Sequence, residues 1–410
     1  MIGEAERIVV SLKFGHSPIE VGEMVQDGRA IYFRYYPEFI KKGLEISPFK
    51  LPLTTGTFSA DPDPFEGIHG VFNDSLPDGW GRLLTDRQLG NKGIPLGSIT
   101  PLDRLRIVGD NGRGALMYEP KIVDESCHLN EMDVDDISTQ VKAVLDGESG
   151  NVIEELVALG GSSGGARPKI FVGYNAAENQ IIHGKENLSD DFEHWIIKFP
   201  SSIDYPDIAQ IEMAYAQMAR AAKIEMMPCK LFTGKSGKKY FGTQRFDRIG
   251  NNRLHLHSAA GLLHDDFRKS QLDYGHLLHN GYELTKKADT YEKIFRLAAF
   301  NIYSHNRDDH SNNFSFLMDK TGNWKFAPAY DLTYSASSHG MHSTAVAGES
   351  AKPGRTQLME LAEDFLIKKA KHIIKEVQEA ISQWPDFARQ SGVSDQQTKI
   401  IQKVLKGLKD

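Results

Sequence analysis

The sequence is poor in cysteine, in long apolar runs and in positive charge. Its only cysteines, Cys127 and Cys229, are far apart among 410 residues, which excludes a disulfide scaffold and fits the reduced thiols of a cytosolic protein. The net charge of -7 excludes the strongly basic composition of a dedicated nucleic-acid binder. No segment reaches the roughly 18 apolar residues of a membrane helix, and the first residues, MIGEAERIVVSLKFG, lack the pattern of a signal peptide. We therefore expect a cytoplasmic protein without a membrane segment.

The composition that is present describes a globular chain with more than one core. Apolar residues make up 40% and charged residues 25% of the chain, and 410 residues exceed what one ordinary core holds. Segments 7–14 and 30–36 are rich in β-branched and aromatic residues, as strands are, and 73–89 has the pattern of a capped helix. We predict an N-terminal α+β domain and two further domains, with the boundaries 1–125, 126–250 and 251–410.

The later parts of the chain change from strands to helices. Strands are predicted at 194–201, 228–234 and 239–246, and apolar residues at helical spacing predict helices at 207–224 and 289–305. Three helical runs close the chain between residues 358 and 408, and the longest is 358–384. Strands followed by helices indicate an α+β fold with two lobes and an all-helical C-terminal part.

The stretch 306-NRDDHSNN-313 crowds short polar side chains between apolar segments. Phosphoryl transfer requires a carboxylate that takes the acceptor's proton and oxygen ligands for a metal that bridges the phosphates. Protein kinases place such groups in a loop with the pattern R-D-x-x-x-x-N, and Arg307, Asp308 and Asn313 have this spacing. Asp331 then supplies a metal-binding carboxylate, since Mg²⁺ favours oxygen ligands. The alternative is a turn whose Asp, Asn and Ser side chains cap their own backbone.

Two upstream features favour the kinase hypothesis. Lys198 lies within the strand-like WIIKF and Glu212 on the following helix, and kinases use such a pair to fix the ammonium that binds phosphate. The glycines of 160-GGSSGGARPK-169 would let backbone N–H groups approach a phosphate. In the alternative interpretation, Lys198 extends to solvent, Glu212 is a surface carboxylate and the glycine run is a flexible turn.

A different chemistry would use Asp308, Asp309 and His310 as metal ligands for hydrolysis. The other histidines of the chain are scattered, and no partner cluster has metal-ligand spacing. The kinase pattern therefore accounts for more of the sequence.

Taken together, the motifs resemble the HipA-like serine/threonine kinase toxins of bacterial toxin–antitoxin systems over nearly the whole chain. The similar segments follow in the family's order: 73-NDSLPDGWGRLL-84, 100-TPLDRLRIVGDNGRGALMYEP-120, the glycine run, 194-HWIIKFP-200, 244-QRFDR-248, 308-DDHSNNFSF-316 and 329-AYD-331. The resemblance implies a two-lobed, protein-kinase-like fold with an N-terminal α+β subdomain, and it implies ATP and Mg²⁺ as cofactors.

The resemblance also implies a role for each matching position. Asp308 would be the catalytic base, and Asn313 and Asp331 would bind Mg²⁺. Lys198 would hold the ATP phosphates, with Glu212 positioning it. The other expected ATP contacts are a loop over the phosphates (Gly164, Gly165, Ala166, Arg167, Pro168 and Lys169), an adenine hinge (Gln244, Arg245 and Phe246) and a pocket lining (His310, Ser311, Asn312, Asn313, Tyr330 and Asp331).

Regulation is implied at the glycine run. Ser162 falls where the family carries a self-phosphorylated serine, and Ser163 is the alternative. A phosphate there adds about -1.5 to -2 charges, which would repel bound ATP and switch the kinase off. The sequence departs from the family in two places: Arg167 and Pro168 replace a frequent Gln–Glu pair, and Asp309 replaces a frequent Gly. We expect the side chain of Asp309 to face solvent.

Three functions remain to be compared. The first is an autophosphorylating kinase toxin whose partner is a HipB-like helix-turn-helix antitoxin, which would supply most DNA contacts; its substrate would be a protein, with aminoacyl-tRNA synthetases as a candidate class. The second is a small-molecule, antibiotic-type phosphotransferase, and the third is a catalytically silent kinase fold that binds a repressor. The paired serines and the separate N-terminal domain favour the first over the second. The intact Lys198, Asp308, Asn313 and Asp331 favour it over the third.

Overall fold

The structure is a computed structural model that describes residues 7–122, 133–147, 151–160, 165, 167–184, 187–201, 204–337 and 340–408. The chain divides into two compact units. The first comprises Met1–Asp204, Phe232–His257 and Met318–Gly322, and the second comprises Tyr205–Leu231, Ser258–Leu317 and Asn323–Asp410. The three boundaries expected from the sequence stay a prediction.

An antiparallel sheet begins the first unit. Its strands are β1 (Arg7–Leu12), β2 (Ile19–Asp27), β3 (Ala30–Tyr35), β4 (Phe58–Ser59) and β5 (Leu116–Glu119), in the order β4-β3-β2-β1-β5. In β3 buried and accessible side chains alternate, so that one face enters the core. The strands predicted at 7–14 and 30–36 are thereby confirmed, whereas β2 was not predicted.

Four helices accompany this sheet: α1 (Pro37–Ile40), α2 (Gly70–Asn73), α3 (Gly79–Asn91) and α4 (Pro101–Val108). Thr100 begins α4 through a capping box, in which its hydroxyl accepts from the Asp103 amide at 3.2 Å and the Asp103 carboxylate accepts from the Thr100 amide at 2.9 Å. Asp78 occupies the same position before α3, but its side chain makes no cap hydrogen bond. Its carboxylate is used elsewhere, as described below.

A second sheet of the first unit carries the lysine predicted to bind phosphate. After α5 (Val134–Leu145) and α6 (Asn151–Gly160) come β6 (Lys169–Asn175), β7 (Gln180–His183), β8 (Glu193–Lys198), β9 (Cys229–Thr233) and β10 (Lys239–Gln244), in the order β7-β6-β8-β10-β9. Alternate residues of β6 and β8, among them Ile170, Trp195 and Ile197, join Trp80, Leu84 and the apolar faces of α5 and α6 in one core. The opposite face of the sheet therefore carries the other residues, including Lys169 and Lys198. The short strands β11 (Arg248–Ile249), β12 (Asn252–Arg253) and β13 (His255–Ser258) follow.

The second unit is mainly helical. Its elements are α7 (Ile208–Ala221), α8 (Ala259–Leu263), α9 (Tyr274–Thr285), α10 (Asp289–Tyr303), the paired strands β14 (Ser315–Met318) and β15 (Trp324–Phe326), α11 (Arg355–Asp364), α12 (Ala370–Ser382), α13 (Trp384–Ser391) and α14 (Asp395–Lys406). Tyr215 of α7 lies at the centre of this packing, because its ring meets Trp384 at 5.5 Å and its hydroxyl donates to the Ser304 carbonyl at 2.6 Å. In the part of the chain that the structure describes, no helix is long and apolar enough to cross a membrane.

The helical run predicted at 358–384 is wrong, because it is divided between α11 and α12. Leu366 has a φ of 52°, and its amide donates to Glu363 at 3.2 Å while the Ile367 amide donates to Ala362 at 2.8 Å. This is a Schellman motif with Leu in the left-handed position that glycine usually takes. Ile367 is buried beside an exposed Leu366, and the helical periodicity alone does not reveal this break.

Candidate active site

The polar loop, residues 305–313, lies between α10 and β14 in the second unit. Asp308 has a side chain that is 59% exposed, and the nearest nitrogen of His310 is 3.8 Å from its carboxylate. The side-chain amide of Asn313 donates to the backbone oxygen of Asp308 at 2.7 Å. The chain thus turns within five residues so that the Asp308 carboxylate is presented to solvent while its backbone is fixed.

The remaining polar side chains of the loop fix it to neighbouring segments. Ser311 is buried and donates its hydroxyl to Asp265, and the ring of His310 lies 5.2 Å from that of Phe267. The Asn312 carbonyl accepts from the Tyr330 hydroxyl at 2.6 Å. His310, Ser311 and Asn312, which were expected to line the ATP pocket, therefore also support the loop.

Asp331 follows Tyr330 in an unusual backbone conformation. Its φ is 56°, a left-handed value that L-residues adopt rarely and that is frequent at functional sites. Hydrogen bonds hold the two residues before Asp331 in place. The Ala329 amide donates to the Glu225 carbonyl at 2.8 Å, and the Tyr330 hydroxyl is bonded to Ser315 as well as to Asn312. The polar loop and the Tyr330–Asp331 pair are thus brought together in one unit.

Asp309 does not face solvent, so this expectation from the sequence was wrong. Its side chain is 0% exposed, and His342 donates to it at 3.0 Å. The physical reason is that a neighbouring segment supplies enough hydrogen-bond donors to replace water. The two consecutive aspartates therefore have opposite environments, and the use of Asp308, Asp309 and His310 as one metal-binding set does not fit this geometry. Among the described residues no group of three or more His, Cys, Asp or Glu side chains could hold a metal ion.

Two lysines face each other on the second sheet of the first unit. Lys169 and Lys198 are paired in register on the adjacent antiparallel strands β6 and β8, and residues directly opposite each other project from the same face. Lys169 is buried, and the Lys198 ammonium lies 5.4 Å from the centre of the Phe241 ring. The two ammonium groups thus project from one face of the sheet, at opposed positions of neighbouring strands.

The glycine stretch that precedes β6 is attached to the N-terminal subdomain. The amide of Gly165 donates to the Asp78 carboxylate, and its carbonyl accepts from the Trp80 amide at 3.4 Å. Gly165 has a φ of 96°, and an added Cβ would lie 2.5 Å from the Lys169 ammonium nitrogen. The backbone conformation therefore disfavours a side chain here, whereas the Lys169 ammonium lies at the end of a flexible side chain. Ser162, Ser163, Gly164 and Ala166 lie outside the described residues.

Arg167 and Pro168, the two residues before β6 that depart from the family pattern, have defined contacts. Arg167 forms an ion pair with Asp204 at 2.9 Å. Pro168 accepts at its carbonyl from the Phe199 amide at 2.8 Å. Its missing N–H is tolerated because it comes just before the first residue of β6.

The predicted hinge is held by a buried ion cluster. The Arg245 amide donates to the His194 carbonyl at 2.8 Å, which continues the pairing of β8 with β10. Its guanidinium donates twice to the Asp247 carboxylate, at 2.9 and 2.8 Å, and lies 4.2 Å from the Phe171 ring centre. Burial raises the pKa of Asp247, but the charges of Arg245 and Arg248 outweigh it and keep the pKa below its usual value. Gln244 and Phe246 flank this cluster and are half-buried.

Glu212 lies on α7 and is 4% exposed, so the alternative of a surface carboxylate was wrong. It belongs to the second unit, whereas Lys198 belongs to the first. The pairing of the two stays a prediction.

Sequence reasoning missed Asp78 as a candidate functional residue, although the segment around it was recognised. The available signal was an Asp before Gly79–Trp80 at the start of a helix, a position that normally caps its own helix. Asp78 instead reaches Gly165, which is 87 residues away in sequence. The roles of Asp309 and His342 were missed because no local pattern connects them.

Comparison with known proteins places the chain by sequence and by fold. A family model described as the HipA-like C-terminal domain matches residues 161–384, and one described as the HipA N-terminal domain matches residues 16–119. None of the curated proteins matches the sequence.

Two solved structures are similar to different extents. One chain belongs to the structure described as the Shewanella oneidensis MR-1 toxin–antitoxin system HipA, HipB and its operator DNA complex; it has a TM-score of 0.69 and 16% identity, over 97% of this chain and 95% of that chain. The other is the Helicobacter pylori proinflammatory kinase CtkA, with a TM-score of 0.33 and 12% identity, over 53% of this chain and 87% of that chain. The first likeness shows a common fold, and the second score is too low to do so.

Proposed function

The chain belongs to the HipA-like family, since the C-terminal family model covers more than half of it, and from this premise we propose that it is an ATP- and Mg²⁺-dependent serine/threonine protein kinase. The observation that carries the proposal is the exposure of Asp308 on a fixed loop. The Asp308 side chain is 59% exposed, and it projects from a loop that hydrogen bonds within the protein hold in place. A general base needs this combination of access and fixed position.

The donor atoms fit a magnesium ion. Asn313 donates through its side-chain nitrogen to Asp308, so its side-chain oxygen is the atom left for a metal, and Asp331 adds a carboxylate. Both are hard oxygen ligands, and Mg²⁺ usually takes only one or two protein ligands besides phosphate oxygens and water. When bound, the ion would neutralise charge that develops on the transferred phosphoryl group.

Different residues of the chain would then have different roles in phosphoryl transfer. Asp308 would accept the proton of the serine or threonine hydroxyl as that oxygen attacks the γ-phosphorus of ATP, while the bond from this phosphorus to the β,γ-bridging oxygen breaks and ADP leaves. Lys198 and Lys169 would hold phosphate oxygens, and Gly165 would bring backbone close to them. Because the Arg245 amide and side chain are engaged with His194 and Asp247, the adenine contacts of the hinge would come from the backbone of Gln244 and Phe246.

Labelled ATP tests the activity directly. Purified protein with Mg²⁺ and γ-labelled ATP should become labelled or should label added protein, and the matched control Asp308→Asn should not. Label that appears only on a small-molecule acceptor would support the antibiotic-type phosphotransferase instead. No transfer under any condition would favour the catalytically silent fold.

We further propose that the kinase is a cytoplasmic growth-inhibiting toxin whose partner is a HipB-like antitoxin. The support is the similar fold of a HipA chain that was solved with HipB and operator DNA. Induced expression of the wild type alone should stop bacterial growth, whereas Asp308→Asn should not. Growth arrest by the inactive variant would show that inhibition does not depend on phosphoryl transfer.

Autophosphorylation at Ser162, with Ser163 as the alternative, would switch the kinase off. Added phosphate brings about -1.5 to -2 charges next to a site that favours anions, so bound ATP would be repelled. Ser162→Asp should bind ATP at least tenfold more weakly than Ser162→Ala in a titration with a fluorescent ATP analogue. Equal affinities would refute the switch at this serine. Mass spectrometry of peptides from the purified protein should find phosphate on Ser162 in the wild type. It should find phosphate on neither serine in Asp308→Asn.

A further inference from the structure

Asp309 is a buried carboxylate whose two oxygens accept four hydrogen bonds. One oxygen accepts from the amides of Ser343 at 2.9 Å and Thr344 at 3.3 Å. The other accepts from the Tyr274 hydroxyl at 3.0 Å and from a ring nitrogen of His342 at 3.0 Å. The Thr344 hydroxyl also donates to the backbone oxygen of Asp309. Hydrogen bonds to an ionised carboxylate are about twice as strong as neutral ones, so this cluster is a firm attachment.

Three of these four donors come from a segment that follows Asp331. We name residues 340–344 the anchoring segment, and four of its five residues bond to Arg307 or Asp309. Besides the bonds to Asp309, the Ser343 amide donates to the Arg307 carbonyl at 3.2 Å, and the Arg307 guanidinium donates to the Gly340 carbonyl. The residues on both sides of Asp308 are thus tied to the same five-residue segment.

The supporting shell extends behind Asp309. The Tyr274 hydroxyl, which donates to Asp309, accepts from the Asn301 amide at 2.8 Å, and Asn301 accepts from Asn306 at 3.0 Å. This chain of bonds leads from α9 through α10 back to the polar loop. These buried hydrogen bonds restrict the conformation of the loop, although the side-chain oxygen of Asn306 is buried without a hydrogen-bond partner.

The environment leaves Asp309 no direct part in the reaction. It is 1% exposed, and both oxygens are occupied by protein donors, so it can reach neither a substrate hydroxyl nor a metal ion. Its neighbour Asp308 is exposed. The carboxylate of Asp309 instead fixes the backbone from which Asp308 projects.

From this geometry we infer that Asp309 is a positioning residue, and that its carboxylate does what an activation-loop phosphate does in switchable protein kinases. In those kinases the segment after the metal-binding Asp is ordered when an added phosphate pairs with arginine. Here an internal carboxylate orders the corresponding segment, and Arg307 bonds to a backbone carbonyl. The catalytic consequence rests on the proposed kinase function: phosphoryl transfer requires Asp309 but no phosphate in the anchoring segment.

The first experiment separates ordering from catalysis in the full chain. In Asp309→Ala, the amides of Ser343 and Thr344 should lose hydrogen-exchange protection by tenfold or more. The kcat of phosphoryl transfer should fall at least 30-fold, while the KM for ATP changes less than threefold. A smaller fraction of folded protein would also lower the apparent kcat at an unchanged KM, so kcat is calculated per molecule of folded protein, with the folded fraction measured by circular dichroism. Unchanged protection, or a wild-type kcat, would overturn the inference.

Two further variants control for loss of stability. Asp309→Asn keeps one oxygen that can accept from the Ser343 and Thr344 amides, so it should restore most of the protection and a part of kcat. Glu376→Gln removes a carboxylate that binds Lys223 and Arg296 in the same unit but has no bond to the polar loop, and it should keep the wild-type kcat. If Asp309→Ala does not fold, Asp309→Asn decides: wild-type kcat in that variant would refute the inference.

The second experiment tests independence from phosphate. Wild-type protein treated with a phosphatase until mass spectrometry detects no phosphate should transfer phosphate at least as fast as untreated protein. A severalfold fall in the initial rate would overturn the inference, because it would show that a phosphate is needed. If the wild type transfers no phosphate at all, the kinase proposal fails and the catalytic role of Asp309 fails with it. If the wild type is active and Asp309→Ala equally so, only the inference about Asp309 fails.

Discussion

The polar loop and the glycine stretch are fixed in different ways. The polar loop of the second unit is held by groups of its own unit, from Asp265 and Tyr274 to the anchoring segment. The glycine stretch of the first unit is held from far away, because Gly165 bonds to Asp78 across 87 residues and Arg167 bonds to Asp204.

This difference indicates a structural role for the N-terminal subdomain. Trp80 and Leu84 pack in the same core as β6 and β8, and Asp78 reaches the glycine stretch directly. The subdomain is therefore part of the support for the proposed ATP phosphate site. The polar loop is supported within the second unit instead. Substitutions should therefore change mainly the ATP affinity at the glycine stretch and mainly kcat at the polar loop.

The largest effect is expected at the polar loop. Asp308→Asn should lower phosphoryl transfer by about 10²–10⁴-fold, the usual contribution of a general base, while the affinity for ATP stays within threefold of the wild type. Because the side chain is 59% exposed, the urea midpoint of unfolding should not change. Single-turnover kinetics measure the rate of phosphoryl transfer, and ATP titration of the same preparation measures the affinity. Activity near that of the wild type would remove Asp308 from the mechanism.

The next largest effect is expected at the paired lysines. Lys198→Met should weaken ATP binding by about 10- to 100-fold, since a hydrogen bond to a charged group contributes roughly 1.5–3 kcal/mol, and Lys169→Met should show a smaller loss. Glu212→Ala, which would only position Lys198, should weaken binding less than Lys198→Met. Isothermal titration with a non-hydrolysable ATP analogue measures all three. ATP affinity of Lys198→Met equal to that of the wild type would show that this lysine is structural.

Sequence reasoning was most successful where the chemistry lies in one short segment. The spacing of Asp308 and Asn313, the strand with Lys198 and the helix with Glu212 were all evident from local pattern, and the HipA-like family is confirmed by the family models. The environment of Asp309 was mispredicted because its donors, His342, Ser343 and Thr344, are more than 30 residues away. Burial of this kind depends on tertiary partners that a local motif does not contain.

A smaller effect is expected from the remote support of the glycine stretch. Asp78→Ala removes the acceptor of the Gly165 amide and should raise the KM for ATP three- to tenfold, with kcat nearly unchanged. Glu66→Ala is a matched control, because this carboxylate pairs with Arg82 on the exposed side of the same helix and should leave KM unaltered. Steady-state kinetics distinguish the two. A loss confined to kcat in Asp78→Ala would contradict the division between the two parts of the site.

The smallest effect is expected on stability at low pH, to which histidines of both units should contribute. Burial lowers the pKa of His255 in the first unit and of His305 in the polar loop to about 4, from 6.5. Between these values the unfolded chain binds more protons than the folded one, so stability is complete above about pH 6.5 and is lost as the pH falls towards 4. The fully buried His255, whose ring bonds to the Ile46 carbonyl at 2.9 Å, should contribute at most about 1.4 kcal/mol per pH unit to this slope. Urea unfolding at pH 7 and pH 5 should therefore show a smaller loss for His255→Gln than for the wild type, and an identical loss would show that His255 does not control the acid response.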